Sequence, residues 1–345
     1  MPRKSITSYD VAKAAGVSQS AVSRAFSPGA SISKPTREHI LKVAGEMGYQ
    51  PNAIARSMST ARKDIHQKSG MVGVIVTRLE DPFFAQTIAE FSRGIQAQGW
   101  QMLLFTVDTE AEVDTALNTL MQYKIDGAIV LSAILSDQMA RACNTQGIPV
   151  MLYNRSAEGL NASSVEIDNH EGGRMAADIL LEAGHTRIAF VGGEEGDATS
   201  TRRQTGFEER LAEAGRQIFR HETGDYTFDS GREAALRLFA RKDRPDAVFC
   251  ASDVMALGVL HAARNELGLR IPEDFSLVGF DDIPSAGWAG HALTTIRQPV
   301  RRMIKDAVDN LVESMESPAL PPRIRRFEGR LIIRNTVRQV GSSSP

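Results

Sequence analysis

Cysteine is nearly absent from this chain, and its sequence lacks apolar runs long enough to cross a membrane. Two cysteines, Cys143 and Cys250, cannot build a disulfide framework or a zinc site by themselves, which fits a reducing cytoplasm. The longest apolar stretches, Met71–Thr77 and Gly127–Leu135, fall far short of the roughly 20 residues that a bilayer requires. The segment Met1–Thr7 has no apolar signal-peptide core, so we expect no export. These absences predict a cytoplasmic protein, and 345 residues predict two or three domains.

The formal net charge of −2 is the average of two unlike segments. From Met1 to Lys68 the chain has 11 Lys/Arg against 4 Asp/Glu, and the remainder has 29 against 38. A basic head on an acidic body is typical of a chain whose head meets a polyanion. A solvated basic face on an ordinary domain gives the same asymmetry. Charge alone therefore does not distinguish a polyanion-binding head from an ordinary solvated surface.

The first fifty residues have the pattern of three short helices. A Thr-x-x-Asp capping box at Thr7–Asp10 begins the first helix, and Gly16 supplies the turn that ends it. Ser18 can cap a second helix that runs to Phe26, and Ser33 can cap a third with proline in its first turn. A helix, a tight glycine turn and a second helix form the helix-turn-helix layout. That layout presents the start of the second helix to the DNA major groove.

Polar side chains at the start of the second helix are candidates to contact DNA. Gln19 can read adenine edges, Arg24 can read guanine, and Ser20 and Ser23 suit phosphates. The alternative is a structural three-helix bundle whose polar caps are solvated.

The segment after the third helix predicts a partner-dependent hinge. Asn52 follows Pro51 and can cap only about two turns of helix, which are marginal in water without a partner surface. The segment carries basic Arg56 and apolar Met58, and apolar wedges of this kind enter the minor groove and separate base steps.

The motifs in Val11–Ser18, Val22–Arg24 and Gly48–Arg56 together resemble the lactose/galactose repressor family (LacI/GalR), and the likeness continues through almost the whole chain. The resemblance implies a homodimer with its recognition helices in two half-sites of a pseudo-palindromic operator. It also implies paired hinge helices in the minor groove between them. The family's wedge is usually leucine, whereas this chain has Met58, a softer and more flexible apolar group. The pattern and the resemblance together give the DNA-binding set Thr7, Tyr9, Ser18, Gln19, Ser20, Ser23, Arg24, Ser33, Thr36, Asn52, Ala55, Arg56 and Met58.

Beyond a polar linker the chain alternates short β runs with amphipathic helices, which predicts parallel sheets covered by helices on both faces. Two sets of such units predict two similar lobes with a ligand cleft between them. The predicted strands are Met71–Val76, Met102–Phe105, Ala128–Leu131, Pro149–Tyr153, Arg187–Val191, Ala247–Cys250 and Ser276–Val278. The predicted helices are Phe84–Gln98, Asp114–Tyr123, Gly172–Ala183, Thr205–Ala214, Gly231–Ala240 and Val254–Leu267.

The predicted fold is an N-terminal all-α helix-turn-helix domain followed by an α/β body of two lobes. The resemblance makes that body like a periplasmic sugar-binding protein, with chain crossovers near Asp168, Gln298 and Phe327. The expected domains are 1–51 for DNA binding, 52–60 for the hinge helix, 61–70 for the linker, and 71–345 for effector binding and dimerisation. Lobe one is expected at about 71–167 and 299–326, and lobe two at about 168–298 and 327–345.

Candidate effector-binding residues lie near predicted strand ends. Phe83 and Phe84 follow the first strand and could stack on a sugar ring, although at least one could be core instead. The carboxylate of Asp281 follows a later strand and could accept from vicinal hydroxyls, although an acidic pair there could also be solvated or cap a helix. Asp253 is expected to be structural and to hold the loop at the start of its helix. The resemblance adds Asn154, Arg203, Tyr226, Ser252 and Gln298, with the arginine fork expected to donate two parallel bonds to the ligand.

The resemblance also bears on the effector. Asp197 stands where purine-responsive members carry arginine, which disfavours a purine. An acceptor-rich cleft suits a neutral sugar or sugar derivative, but Arg203 could hold a carboxylate or phosphate, so sugar acids stay open.

Enzymatic activity is not expected. The sequence has no Gly-x-Ser-x-Gly elbow, and Gly192–Gly196 has neither nucleotide-loop pattern and carries two glutamates that would repel phosphate. His185, His261 and His291 lack metal-ligand spacing, so we expect no metal and no cofactor. The solute-binding protein of a transporter would explain the body but not the basic head.

The sequence therefore predicts a sequence-specific DNA-binding transcriptional regulator, a repressor whose operator affinity is controlled by a small-molecule effector, most readily a sugar or sugar derivative. We expect it on the bacterial nucleoid when bound to DNA and without a membrane partner. The residues after Val337 contain no leucine heptads, so a dimer is expected rather than a coiled-coil tetramer.

Overall fold

The computed structural model describes residues 6–26, 30–50, 68–131, 133, 135–317 and 319–339. The chain separates into two compact units, Met1–Ser69 and Gly70–Pro345. Within the described ranges, every helix is too short or too polar to cross a lipid bilayer.

The described part of the first unit consists of three helices, α1 Ser8–Ala15, α2 Gln19–Ala25 and α3 Lys34–Met47. The predicted capping box is confirmed. Thr7 accepts from the Asp10 amide, and the Asp10 carboxylate accepts from the Thr7 amide at 2.9 Å. The start of α1 is therefore set by residues adjacent to it in the sequence.

The remaining helix ends also follow the predicted chemistry. Gly16 takes the left-handed conformation, with φ of 64°, that ends α1 and starts the turn into α2. Ser18 and Ser33 cap α2 and α3, and Pro35 occupies the first turn of α3, where its missing amide costs nothing. The glycine turn and the two serine caps position the polar start of α2.

A small apolar core holds these three helices together. Val11, Val22 and Ile40 contribute one side chain from each helix, and all three are buried. At its edge, Phe26 meets Tyr49 edge to face with ring centroids 5.7 Å apart.

The second unit contains two six-stranded sheets. The first has the order β11-β5-β4-β3-β1-β2, and all its strand pairs are parallel. Its strands are β1 Met71–Thr77, β2 Gln101–Val107, β3 Gly127–Leu131, β4 Val150–Tyr153, β5 Ser163–Ile167 and β11 Ile324–Phe327. The helices in this part of the chain are α4 Pro82–Ala97, α5 Val113–Gln122, α6 Asp137–Thr145 and, after the second sheet's strands, α11 Val300–Glu316.

The second sheet has the order β12-β10-β9-β8-β6-β7, in which only the β10–β12 pair is antiparallel. Its strands are β6 Ile188–Gly192, β7 Arg220–Thr223, β8 Ala247–Cys250, β9 Ser276–Asp281, β10 Thr294–Arg297 and β12 Arg330–Ile332. Its helices are α7 Asn169–Glu182, α8 Ala198–Glu213, α9 Phe228–Phe239 and α10 Asp253–Asn265. The chain thus passes between the sheets after β5, β10 and β11, which makes each sheet the centre of one lobe.

This architecture confirms the predicted fold class, but it contains several elements that the sequence pattern did not predict. The missed strands are β5, β7, β10, β11 and β12, and the missed helices are α6 and α11. All five of these strands have only three to five residues, and β7 and β11 are largely exposed sheet edges. Exposed edge strands lack the continuous apolar pattern on which the sequence reading depends.

Glycines allow the helices of lobe two to touch backbone to backbone. A Cβ on Gly206 of α8 would lie 1.9 Å from the carbonyl oxygen of His170, and one on Gly173 of α7 would lie 2.0 Å from that of Arg203. The crossing of α7 and α8 therefore leaves no room for a side chain between the two backbones, and it fixes the middle of α8 against the start of α7.

Gly206→Ala should destabilise the second unit by about 2 kcal/mol or more, because the new methyl group forces two packed backbones apart. Gly94→Ala is the matched control, since a Cβ there meets Val308 Cγ2 at an ordinary 3.4 Å. The control should leave the unfolding free energy unchanged or raise it by up to about 1 kcal/mol through helix propensity. Thermal unfolding of the full chain measures both. Equal melting temperatures for the two variants would contradict the close crossing.

Candidate functional site

The exposed face of α2 carries the polar side chains that the sequence analysis assigned to DNA. Gln19, Ser20 and Arg24 are exposed, and Ser23 is half-buried. The opposite face packs into the core of the three helices. The helix therefore presents a polar surface at its N-terminal end, as a helix-turn-helix requires.

Gln19 and Arg24 make hydrogen bonds within the helical unit, and Ser20 Oγ lies 2.9 Å from Ser18 Oγ. Gln19 Nε2 donates to Ser8 Oγ at 2.8 Å, which ties the start of α2 to the start of α1. Arg24 Nε donates to the Ser20 carbonyl at 3.3 Å. Among the described residues, its Nη1 and Nη2 groups make no hydrogen bond. Gln19 thus links two helices as well as being a polar surface group. The end of the Arg24 guanidinium is available to another molecule.

Three of the predicted hydroxyl contacts are helix caps in this structure. Thr7, Ser18 and Ser33 accept first-turn amides at 3.4, 3.2 and 3.3 Å, and the Thr36 hydroxyl lies 2.6 Å from Ser33 Oγ. Tyr9 is 64% exposed on α1. The hinge residues Asn52, Ala55, Arg56 and Met58 lie outside the described residues.

A pocket lies between the two lobes of the second unit and encloses about 380 Å³ of atom-free space, its open mouth included. It is at the carboxyl ends of the strands, where open parallel sheets bind ligands. Six predicted residues line it: Phe83, Phe84, Asn154, Arg203, Tyr226 and Asp281. Four unpredicted residues complete the lining: Arg78, Asp81, Asp197 and Thr199. We refer to this cavity as the effector pocket.

The aromatic wall of the effector pocket is held by the start of α4. Asp81 caps this helix by accepting from the Phe83 amide at 2.9 Å. Phe83 and Phe84 pack edge to face with centroids 5.4 Å apart, and both are almost fully buried. Both rings therefore belong to the core and also line the pocket, so a core role and a ligand-stacking role are compatible for this pair.

Arg203 lies at the base of the pocket with only 2% of its surface exposed. Its Nε donates to Asn169 Oδ1 at 2.8 Å, and Nη1 donates to the Ala251 carbonyl. The guanidinium stacks on Phe280, with Cζ 3.5 Å from the ring centroid, and Nη2 lies 3.6 Å from Asp281 Oδ1. The fork expected to hold a ligand by two parallel bonds is thus largely used by the protein, and only Nη2 remains beside the pocket.

Two further predicted residues do not line the pocket. Ser252 is buried and caps α10, because its Oγ accepts from the Met255 amide at 3.4 Å. Gln298 is buried behind Asp281 and donates to its Oδ1 through Nε2 at 2.7 Å. The first shapes a helix start and the second positions a pocket carboxylate.

Burial and like charges set the protonation of the carboxylates. Removal from water raises the pKa of Asp281 to about 7, against the attraction of Arg203, and the nearby Asp81 carboxylate adds to the rise. Burial also raises the pKa of Asp81, and it raises that of Asp253 well above its usual range. Asp253 accepts from the Ile283 amide at 2.9 Å and the Thr295 hydroxyl at 2.6 Å, so its role is structural, but it holds the loop after β9 rather than the loop at the start of its own helix.

Contacts between the lobes cross the pocket. Arg78 of lobe one lies over the Tyr226 ring of lobe two, 4.7 Å from its centroid. The Tyr226 hydroxyl donates to Asp197 Oδ2 at 2.5 Å, and Arg155 of lobe one lies 3.3 Å from Asp197 Oδ1. Asp197 also caps α8 through the Ser200 amide. Two contacts therefore join the lobes here, Arg78 on Tyr226 and Arg155 on Asp197, and the Tyr226–Asp197 hydrogen bond links them.

The four unpredicted lining residues differ in whether the local sequence carries a signal that could have placed them near the pocket. Asp81 and Asp197 each stand directly before a helix start, and that capping signal could have placed them at strand-to-helix junctions. Arg78 and Thr199 carry no comparable local signal. The described residues contain no group of His, Cys, Asp and Glu arranged to hold a metal ion.

Comparison with known proteins identifies both kinds of domain. Residues 7–52 match bacterial regulatory proteins of the lacI family, and residues 177–337 match a periplasmic binding protein-like domain. The HTH-type transcriptional repressor PurR of Erwinia tasmaniensis is 33% identical over 317 residues, which cover 90% of this chain and 91% of that protein. The chain belongs to the LacI family.

Solved structures agree with this assignment. The Lac repressor dimer bound to operator and the anti-inducer ONPF has a TM-score of 0.84 at 27% identity, covering 96% of this chain and 99% of that chain. The complex of the transcriptional regulator CelR with cellobiose has a TM-score of 0.71 at 30% identity, with coverage of 96% and 99%. This LacI-family chain is accordingly a DNA-binding transcriptional repressor with a small-molecule effector domain.

The stability of this LacI-family protein should fall as pH rises toward 7. Asp281, with its pKa raised to about 7, keeps its proton in the folded state, whereas the unfolded chain releases it near pH 4. The stabilisation is complete below about pH 4 and is lost through pH 7, with a slope of at most about 1.4 kcal/mol per pH unit for one proton. Denaturant unfolding between pH 5 and 8 measures this slope.

Asp281→Asn should flatten that part of the profile, and Asp229→Asn, which changes an exposed carboxyl of α9, should leave it unchanged. Identical slopes for the wild type and Asp281→Asn would show that this carboxyl does not carry the effect.

Proposed function

We propose that this repressor binds a pseudo-palindromic operator as a homodimer and that a sugar or sugar derivative in the effector pocket controls its operator affinity. The observation that carries the proposal is a pocket combining an aromatic wall with buried carboxylates from both lobes. Such a surface matches the apolar C–H face and the hydroxyl rim of a sugar ring. The cellobiose complex of CelR, a structural neighbour, supports the same ligand class.

The charges of the pocket favour hydroxyls over anions. Asp81, Asp197 and Asp281 line it against two arginines: Arg78, which lies over the Tyr226 ring, and Arg203, whose donors are mostly engaged. Because burial raises the pKa of Asp281 to about 7, this side chain is partly protonated near neutral pH. It can therefore accept from one hydroxyl or donate to another, which suits vicinal hydroxyls that do both.

The contacts that cross the pocket give a route for control. A ligand between the lobes must lie beside Arg78, Tyr226 and Asp197, whose contacts join the lobes. We infer that ligand binding changes the lobe arrangement and thereby the chance that two hinge segments, predicted over residues 52–60, fold together on DNA. Thermodynamic linkage then requires operator and effector to alter each other's affinity by the same factor, whether the effector acts as inducer or corepressor.

The test of control uses fluorescence anisotropy with a duplex selected by the purified full chain from random DNA, and a panel of neutral sugars as probes. We expect a sugar that changes operator affinity and whose own affinity changes by the same factor when operator is present. Asp281→Asn should weaken sugar binding about tenfold or more, since a neutral amide replaces the partly ionised carboxyl group, while operator affinity without sugar stays within about twofold. Independent binding of sugar and operator would contradict the mechanism.

The test of DNA reading compares two exposed cations of the first unit. Arg24→Ala removes a guanidinium whose terminal nitrogens are available for a base edge, so operator binding should weaken about tenfold to a hundredfold. Lys42→Ala removes one positive charge from α3, where the lysine lies 4.0 Å from Glu46, and should cost far less. Binding to a random duplex should be reduced less than operator binding by Arg24→Ala. Equal losses on both duplexes would assign Arg24 to phosphate contact only.

A further inference from the structure

A second cavity adjoins the effector pocket and encloses about 620 Å³ of atom-free space, its mouth included. Asn154 and Thr199 line both cavities, so they form a common wall. The second chamber, as we call it, lies between the ends of the lobe-one strands and the first turn of α8. The roles described above make no use of it.

The two sides of the second chamber differ in chemistry. Leu135, Leu152 and Leu160 form an apolar side, which can pack against the C–H face of a sugar ring. Arg155, Arg202 and Glu166 provide charged groups. A surface of this kind fits a ring that carries one ionic substituent rather than a wholly apolar group.

The charge of the second chamber is opposite in character to that of the effector pocket. Glu166 is its lining carboxylate, and it accepts from Arg202 Nη1 at 3.1 Å and from Arg326 Nε at 2.7 Å. One buried carboxylate is thus shared by two guanidinium groups. In contrast, three carboxylates and two arginines line the effector pocket, whereas two arginines and one carboxylate line the second chamber. The balance of charge therefore favours an anion in the second chamber over the effector pocket.

Arg202 has donors available for such an anion. Its Nη1 is engaged with Glu166, but its Nε and Nη2 make no hydrogen bond among the described residues. Its side chain is 38% exposed, so a ligand can reach it. A guanidinium edge is well matched to a carboxylate, which can accept from two of its N–H groups.

The boundary between the two cavities offers a further ligand contact. Asn154 is only 5% exposed, and its Oδ1 accepts no hydrogen bond within the described part of the chain. A buried acceptor without a donor costs free energy, which a ligand hydroxyl at this wall would recover. This acceptor stands where a ligand would pass from one cavity into the other.

We propose that the effector is a two-unit acidic sugar, with a hydroxyl-bearing ring in the effector pocket and a uronic acid ring in the second chamber, where Arg202 binds its carboxylate. The inference rests on the proposed function and specifies the ligand class for the same inter-lobe site. It assigns the anion-binding role to Arg202 instead of Arg203, whose donors are mostly engaged within the protein.

Calorimetry on the full chain tests this with matched probes: cellobiose against cellobiouronic acid, digalactose against digalacturonic acid, and glucuronic and galacturonic acids as single units. We expect one acidic disaccharide to bind at least about tenfold more tightly than its neutral counterpart and than its single acidic unit. Arg202→Gln should remove that advantage and leave the neutral disaccharide's affinity unchanged, because Arg326 still pairs with Glu166.

Arg210→Gln is the matched control, since it removes the same charge from the same helix but from a pair with Asp178 outside both cavities. It should preserve the preference for the acid. Ala198→Trp, which fills the second chamber from the exposed first turn of α8, should weaken disaccharide binding more than monosaccharide binding.

Three results would overturn the inference. Equal affinity for acidic and neutral disaccharides, or a preference for the acid that survives Arg202→Gln, would remove the carboxylate role while leaving a sugar-binding repressor intact. A single sugar unit that binds as tightly as any disaccharide would remove the second chamber from the site. Failure of every sugar to bind would contradict the proposed function itself, and the inference would fall with it.

Discussion

The buried guanidinium of Arg203 is the contact on which the ligand-binding region depends. It joins the start of α7 through Asn169, the end of β8 through the Ala251 carbonyl, and the end of β9 through Phe280 and Asp281. A charge so far from water persists only when its donors are satisfied and an opposite charge is near. The same arrangement shapes the pocket: it draws Asp281 to the pocket wall and leaves little of the cation for a ligand.

Local rules predicted much of the fold and part of the site. Helix caps at Thr7, Ser18 and Ser33 and the glycine turn at Gly16 are written in a few adjacent residues, and the structure has them as predicted. Helix α11 was also predictable from the sequence, because its buried residues recur at helical spacing, but it was missed. Edge strands such as β7 and β11 were not predictable in this way, since their pairing depends on distant chain segments rather than on an apolar pattern.

The roles of individual pocket residues depended on contacts between distant segments. Nothing adjacent to Arg203 in sequence indicates that Asn169 and Ala251 take its donors, and nothing near Gln298 shows that its amide holds Asp281. Asp197 was noted only for what it replaces, whereas in the fold it joins a helix cap, a tyrosine and an arginine of the other lobe. Sequence therefore located the neighbourhood of the site, and tertiary packing decided which side chains face a ligand.

The glycine crossings of lobe two have a mechanical consequence. Where α7 meets α8 at Gly173 and Gly206, and where α9 meets α10 at Gly231 and Gly258, backbone lies against backbone with no side chain between to be compressed. Close-packed interiors of this kind have low compressibility and transmit strain. Lobe two should therefore turn as a stiff body. A displacement imposed at its ligand-facing edge would then rotate the whole lobe about the three chain segments that pass between the sheets, rather than being absorbed inside the lobe.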